Sequence, residues 1–107
     1  MSKQRQLFRL AIDRTGHVRR GDDVRPCHIV DLTEKGVRLQ TDGTFRVDEE
    51  LQLEFALTED NAIVCAIRVT HSQPPLLGAA IVHMSPDHQT RLSHFIEELN
   101  ALNMTGF

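Results

Sequence analysis

Leu51-Gln52-Leu53-Glu54-Phe55-Ala56-Leu57 places a large apolar side chain at every second position. Successive side chains of a β-strand point to opposite faces, so this alternation predicts a strand with one buried face and one solvated face. The polar residues 58–61 follow, and they turn the chain into a second apolar stretch, residues 62–71. The stretch 51–57 therefore sets β-structure as the framework for the chain around it.

The same pattern of short strands and turn residues extends in both directions. Further strands are predicted at residues 7–12, 25–30, 36–40 and 76–84. Thr15-Gly16 is interpreted as the turn after the first strand, and Thr41-Asp42-Gly43 as the turn after the third. Spacing of this kind is typical of an antiparallel sandwich or barrel.

The end of the chain changes to a helical period. Ser85 is a suitable N-cap, Pro86 suits the first helical position, and Asp87 complements the helix dipole. The apolar side chains that follow form one stripe at helical spacing. They are Leu92, Phe95, Ile96, Leu99 and Leu102. We expect a helix that packs on the β-structure, in preference to a helix that binds a partner.

Composition limits the class of protein. The 107 residues are 40% apolar and 25% charged, with no internal repeat or Pro/Gly-rich linker, which predicts one globular domain over residues 1–107. No apolar run approaches the roughly 18 to 20 residues that span a bilayer, and the first residues lack the apolar stretch of a signal peptide. The expectation is a cytoplasmic protein without membrane insertion. Cys27 and Cys65 lie 38 positions apart with no CxxC pattern, and we expect free thiols.

Charge is distributed unevenly along the chain. The net charge is −3, yet residues 1–25 hold seven Lys or Arg and three Asp, whereas residues 26–107 are acidic. An anionic partner would be attracted to the N-terminal segment. DNA or RNA normally binds to a wider basic face, so a small anion fits this distribution better than a nucleic-acid polymer. The alternative, that these cations only solvate an edge strand, stays open.

Two local patterns could bind such an anion. Arg5 and Arg9 are four residues apart, so in an extended segment both guanidinium groups share one face. Arginine matches a phosphate, or the O6/N7 edge of guanine, in a planar bidentate geometry. In the second pattern, residues 31–36, Asp31 can accept from guanine N–H donors and Thr33 offers a hydroxyl. Gly36 permits a tight turn with close backbone approach. Each pattern alone is weak.

In this order, with Asp31 22 positions after Arg9, the two patterns resemble the PilZ family of cyclic di-GMP receptors. That family is marked by RxxxR followed by [D/N]xSxxG. Residues 27–33 resemble the family's strand that leads into the second motif, residues 77–81 its final strand, and residues 86–99 its C-terminal helix. The resemblance implies a six-stranded antiparallel β-barrel followed by a C-terminal α-helix. Residues 1–10 would form a flexible arm, 11–84 the barrel and 85–103 the helix.

The resemblance also implies the roles of five residues. Arg5 and Arg9 would clamp a guanine and the phosphates of cyclic di-GMP, Asp31 and Thr33 would contact guanine, and Gly36 would shape the loop. Thr33 departs from the family pattern, which has Ser. Threonine keeps the hydroxyl but adds a methyl group and restricts χ1.

The implied function is that of a non-enzymatic receptor without a cofactor. Binding would change the conformation of the N-terminal arm, and the new surface would signal to a partner protein. The alternative is a protein-interaction adaptor of the same fold that binds no nucleotide. Catalysis is not expected, because Cys27 and His28 are adjacent in a strand and point to opposite faces. A recognised metal-ligand spacing is also absent among His71, His83, His88 and His94.

Overall fold

The computed structural model describes residues 10–104, and it describes side chains from residue 14 to residue 99. Six strands precede one helix. They are β1 Leu10–Arg20, β2 Asp23–Leu32, β3 Gly36–Thr41, β4 Glu50–Thr58, β5 Asn61–Gln73, β6 Leu76–Met84 and α1 Pro86–Met104. All neighbouring strands are antiparallel, and they close into a barrel in the order β1-β2-β3-β6-β5-β4. The predicted fold class, a six-stranded antiparallel barrel followed by a helix, is confirmed.

The interior of the barrel follows the alternation seen in the sequence. In β4 the side chains of Leu51, Leu53, Phe55 and Leu57 are buried, while Gln52 and Glu54 between them are exposed. Aliphatic side chains of the other strands complete the core, which contains no tryptophan or tyrosine. Burial of this apolar surface is the main force that holds the strands together.

The predicted turn at Thr15-Gly16 is wrong. Gly16 lies inside β1, opposite Phe55 of β4, where these two strands close the barrel. A Cβ atom at residue 16 would lie 2.8 Å from the Phe55 Cβ and would also collide with the Glu54 carbonyl oxygen. Glycine is required here because two strands approach closely. In the sequence alone, such a glycine looks the same as a glycine in a turn. The turn occurs later, where Gly21 has φ of +60°.

The helix begins as predicted and covers one side of the barrel. The Ser85 side chain accepts a hydrogen bond of 3.2 Å from the His88 amide, as an N-cap residue does. Leu92, Phe95 and Ile96 are buried in the common core. Within the described residues, no helix is long and apolar enough to cross a bilayer.

Candidate functional site

An irregularity in β2 determines where Asp31 points. Ile29 lies opposite Leu39 and Asp31 lies opposite Arg38, so Val30 is an extra residue in this strand, a β-bulge. In a regular strand Asp31 would share the inward face of Ile29. The bulge instead turns Leu32 into the core, where it is fully buried, and leaves Asp31 on the outer face.

The Asp31 carboxylate is held on that outer face by a cross-strand ion pair. Its Oδ2 atom lies 3.2 Å from Nη1 of Arg38, and the two side chains are 19% and 47% exposed. A pair this accessible adds little to folding stability. Its consequence is that the carboxylate is held in one orientation. A carboxylate has lone pairs for several donors, so the ion pair leaves acceptor positions for other groups.

Residues 33–36 form a hydrogen-bonded turn directly after Asp31. The Thr33 amide donates to the Gly36 carbonyl at 2.9 Å. The Thr33 Oγ1 accepts from the Gly36 amide at 2.9 Å and from the Lys35 amide at 3.1 Å, and it lies 3.3 Å from the Gly36 carbonyl oxygen. A hydroxyl has one donor and two acceptor positions, so this turn uses all of them. A hydroxyl at this position is therefore explained by the turn, and contact between Thr33 and guanine stays a prediction.

Gly36 is the point where this turn meets the next strand of the barrel. A Cβ atom at residue 36 would lie 3.2 Å from the Ala79 carbonyl oxygen. Gly36 pairs with Ala80, and the Lys35 carbonyl accepts from the Ile81 amide at 2.8 Å. The close backbone approach expected of Gly36 is thus an approach to β6, which fixes the turn against the barrel wall.

Arg5 and Arg9 lie outside the described residues. The start of β1 is described, and it lies beside the turn. Leu10 pairs with Leu32 and Ala11 pairs with Asp31. The residue that directly follows Arg9 is therefore a cross-strand neighbour of the residue that precedes Thr33.

Arg38 is a residue that the sequence reasoning missed. It lies two positions after Gly36, outside both motifs, in the strand predicted at residues 36–40, where polar and apolar residues alternate. That alternation is sufficient to predict that the Arg38 side chain points outward. Its pairing with Asp31 could not be predicted, because it depends on the bulge at Val30.

A groove of about 520 Å³ lies next to the turn, between β6 and α1. Its lining includes Glu34, Lys35, Ile81, Gln89 and Leu92. It does not include Asp31, Thr33 or Gly36, the predicted site residues that the structure describes. Asp31 therefore belongs to an open outer surface of the barrel, and the groove is separate from it.

The two cysteines are unsuited to nucleophilic chemistry. Burial raises the pKa of Cys27 to about 11 and that of Cys65 to about 12, so both remain protonated thiols at neutral pH. Cys27 is buried whereas His28 is exposed, on the opposite face of β2. In the part of the chain that the structure describes, no group of three or more His, Cys, Asp or Glu could hold a metal ion.

Comparisons with solved structures agree with the barrel fold. The barrel is similar to the Bacillus subtilis inhibitor of motility MotI/DgrA, with a TM-score of 0.73 and 18% identity over 92% of this chain and 53% of that one. It is also similar to Escherichia coli YcgR in a crystal structure with c-di-GMP, with a TM-score of 0.78 and 15% identity. That match covers 96% of this chain and 49% of YcgR, so the chain spans about half the length of both neighbours.

A search of curated proteins found no match. The family model that describes the PilZ domain matches residues 3–98, which is nearly the whole chain and includes both arginines and the turn after β2. The chain therefore belongs to the PilZ domain family.

Proposed function

We propose that this chain is a non-enzymatic receptor for cyclic di-GMP, which binds through Arg5, Arg9 and the turn Asp31–Gly36. The observation that carries the proposal is the register between β1 and β2. Leu10 lies opposite Leu32 and Ala11 opposite Asp31. Leu10 directly follows Arg9 in the sequence, so the arginine motif is continuous with the strand that pairs beside Asp31.

The chemistry of these groups fits the two parts of the ligand. Cyclic di-GMP carries two anionic phosphates, and an arginine binds a phosphate through two parallel N–H donors. Guanine presents N–H donors on its Watson–Crick edge, and the outward carboxylate of Asp31 can accept them. The ion pair with Arg38 holds this carboxylate on the outer face in advance. The c-di-GMP complex of the YcgR neighbour supports the choice of nucleotide.

The direct test is a calorimetric titration of the protein with cyclic di-GMP. We expect binding at micromolar concentration, with GMP as the ligand control. Arg5→Ala and Arg9→Ala should each lose most of the affinity, because each removes a charge-assisted bidentate contact. If both variants bind as the wild type does, the site assignment is wrong.

The effector step is a second part of the proposal. Binding changes the conformation of residues 1–10, and the altered surface signals to a partner protein. Support comes from position, because residues 1–9 lead directly into the strand beside Asp31. Amide hydrogen exchange with and without cyclic di-GMP tests this step. We expect slower exchange at residues 3–10 in the complex, whereas unchanged exchange there contradicts it.

A protein-interaction adaptor that binds no nucleotide is the second candidate. The observation in its favour is that Thr33 Oγ1 is fully engaged within its own turn. The same titration separates the two candidates. If neither the wild type nor Thr33→Ser produces heat with cyclic di-GMP, the adaptor is favoured.

Catalysis has little support in the described residues. Their buried cysteines stay protonated at neutral pH, and their His, Cys, Asp and Glu side chains form no metal-binding group. Product analysis after prolonged incubation with cyclic di-GMP tests the non-enzymatic assignment. We expect unchanged nucleotide.

A further inference from the structure

One row of residues on the outside of the barrel connects Asp31 to a histidine three strands away. Asp31 lies opposite Arg38, Arg38 lies opposite Gly78, and Gly78 lies opposite His71. The row crosses β2, β3, β6 and β5, which are neighbours in the closed barrel. With strands about 4.8 Å apart, it extends over roughly 14 Å.

A second bulge places His71 in this row. Val69 lies opposite Ala79 and His71 lies opposite Gly78, so Thr70 is an extra residue in β5. Val69 is fully buried and His71 is exposed. In a regular strand the two would share one face. The bulge at Thr70 therefore has the same effect on His71 that the bulge at Val30 has on Asp31, and bulges are frequent beside functional sites.

Gly78 leaves the middle of the row without a side chain. A Cβ atom there would lie 3.4 Å from the His71 Cβ and 3.7 Å from the Thr70 Oγ1, which are ordinary van der Waals contacts. The backbone at Gly78 has no positive φ. Unlike Gly16 and Gly36, which lie closer to backbone or core atoms, Gly78 is not required by the packing of the barrel. The gap that the missing side chain leaves in this outer row lies between two side chains that can stack on a planar ring.

Those two side chains belong to Arg38 and His71. Guanidinium and imidazole planes both stack on nucleobases, and a guanidinium also favours a nearby anion. Arg38 is held by Asp31 at 3.2 Å, and the His71 Nε2 lies 3.4 Å from the Gln73 Oε1. The first contact fixes Arg38 at the carboxylate, and the pairing of His71 with Gly78 places His71 at the opposite end of the row.

We propose that Arg38, Gly78 and His71 form a stacking platform for the guanine whose edge Asp31 binds. This inference rests on the proposed function and adds residues outside both sequence motifs. The purine lies above Gly78 with one face against the His71 ring, and its donor edge points toward Asp31. His71 and Gly78 then contribute to affinity through the face of the base, while Asp31 recognises its edge.

The experiment compares four variants in calorimetric titrations with cyclic di-GMP. His71→Ala removes the stacking ring, and we expect affinity to fall roughly 5- to 150-fold, the range that corresponds to about 1–3 kcal/mol for loss of one base–aromatic stack. His71→Phe keeps a flat ring and should bind much better than His71→Ala. Gly78→Val fills the space for the base and should weaken binding at least as much as His71→Ala. His94→Ala, at an exposed position of α1, is the matched control and should bind as the wild type does.

Thermal melting of each variant accompanies the titrations. His71 is exposed, so His71→Ala and His71→Phe should melt within a few degrees of the wild type. Wild-type binding with unchanged affinity in His71→Ala overturns the stacking platform and leaves the proposed function intact. An equal loss of affinity in His71→Ala and His71→Phe also overturns it, because a flat ring at this position then does not contribute to binding. Absence of wild-type binding overturns the proposed function itself.

Discussion

The Thr33 hydroxyl accepts a hydrogen bond of 2.9 Å from the amide of Gly36, and this bond closes the turn between β2 and β3. The same oxygen accepts from the Lys35 amide at 3.1 Å. The hydroxyl is thus the element that sets the shape of the turn behind Asp31. Both bonds form with the threonine methyl group present.

Thr33→Val therefore tests the turn without changing the size of the side chain much. We expect a loss of about 1 kcal/mol of unfolding free energy, because two amides lose their acceptor. In a domain of this size, that corresponds to a melting temperature roughly 4 to 8 °C lower. Thr33→Ser keeps the hydroxyl and should melt close to the wild type. Thermal denaturation followed by circular dichroism measures both, and equal melting of Thr33→Val and wild type contradicts the assignment.

Gly16→Ala should destabilise the barrel, in contrast to Gly78→Ala. A methyl group at residue 16 meets the backbone and Cβ of the facing strand, whereas one at residue 78 makes only ordinary contacts. We expect Gly16→Ala to lower the unfolding free energy by about 1–3 kcal/mol or more, as overpacking does. Gly78→Ala should stay within about 0.5 kcal/mol of the wild type. Urea denaturation measures both values, and equal midpoints would show that the β1–β4 contact is looser than described.

The buried thiols should make the protein less stable at alkaline pH. Their pKa values are raised from 9.0 to about 11 in Cys27 and about 12 in Cys65, because burial disfavours the thiolate. Above pH 9 the unfolded chain releases these protons while the folded chain keeps them. Stability is therefore complete below pH 9 and decreases up to the folded pKa values, by at most about 1.4 kcal/mol per pH unit for each thiol.

Urea midpoints at pH 8 and pH 10 measure this decrease. The chain has no tyrosine and only two lysines, Lys3 and Lys35, so few other groups titrate in that range. The double variant Cys27→Ala/Cys65→Ala is the control, and its midpoint should change much less between the two pH values. A decrease of the same size in the double variant would assign the effect to other groups.

Asp31 should select guanine over adenine. Its carboxylate can accept the two neighbouring N–H donors of the guanine Watson–Crick edge, whereas adenine offers only its exocyclic amine there. A bidentate pair of this kind discriminates between bases by about 1–3 kcal/mol, which is roughly 5- to 150-fold in affinity. Parallel titrations with cyclic di-GMP and cyclic di-AMP measure the ratio. Asp31→Ala should reduce this ratio toward one, and an unchanged ratio would place the base-selective contact elsewhere.

The fold was predictable because the decisive strands alternate without interruption. Residues 51–57 have apolar side chains at every second position, and the structure places them in β4 with that face inside. Gly16 was misinterpreted as part of a turn because its real constraint is the approach of β4, which is distant in sequence. A rule based on neighbouring residues cannot detect such a contact.

The site was predictable only in part for a related reason. Asp31, Thr33 and Gly36 are close in sequence, and the structure places them in and directly before one turn. The row from Asp31 to His71 depends on two bulges and on the pairing of β3 with β6, two strands that are far apart in sequence. A bulge shifts the inward and outward faces by one residue, so simple alternation assigns the wrong face beyond it.

We propose that the N-terminal arginines and the turn after β2 bind cyclic di-GMP as one site. The most direct measurement is a calorimetric titration of Arg9→Ala beside Arg19→Ala, a charge-matched pair. Arg19 is exposed near the far end of β1, next to Val24 and Gln52. We expect micromolar binding in the wild type and in Arg19→Ala, with most of the affinity lost in Arg9→Ala. Equal affinity in the two variants, or no wild-type binding, would contradict it.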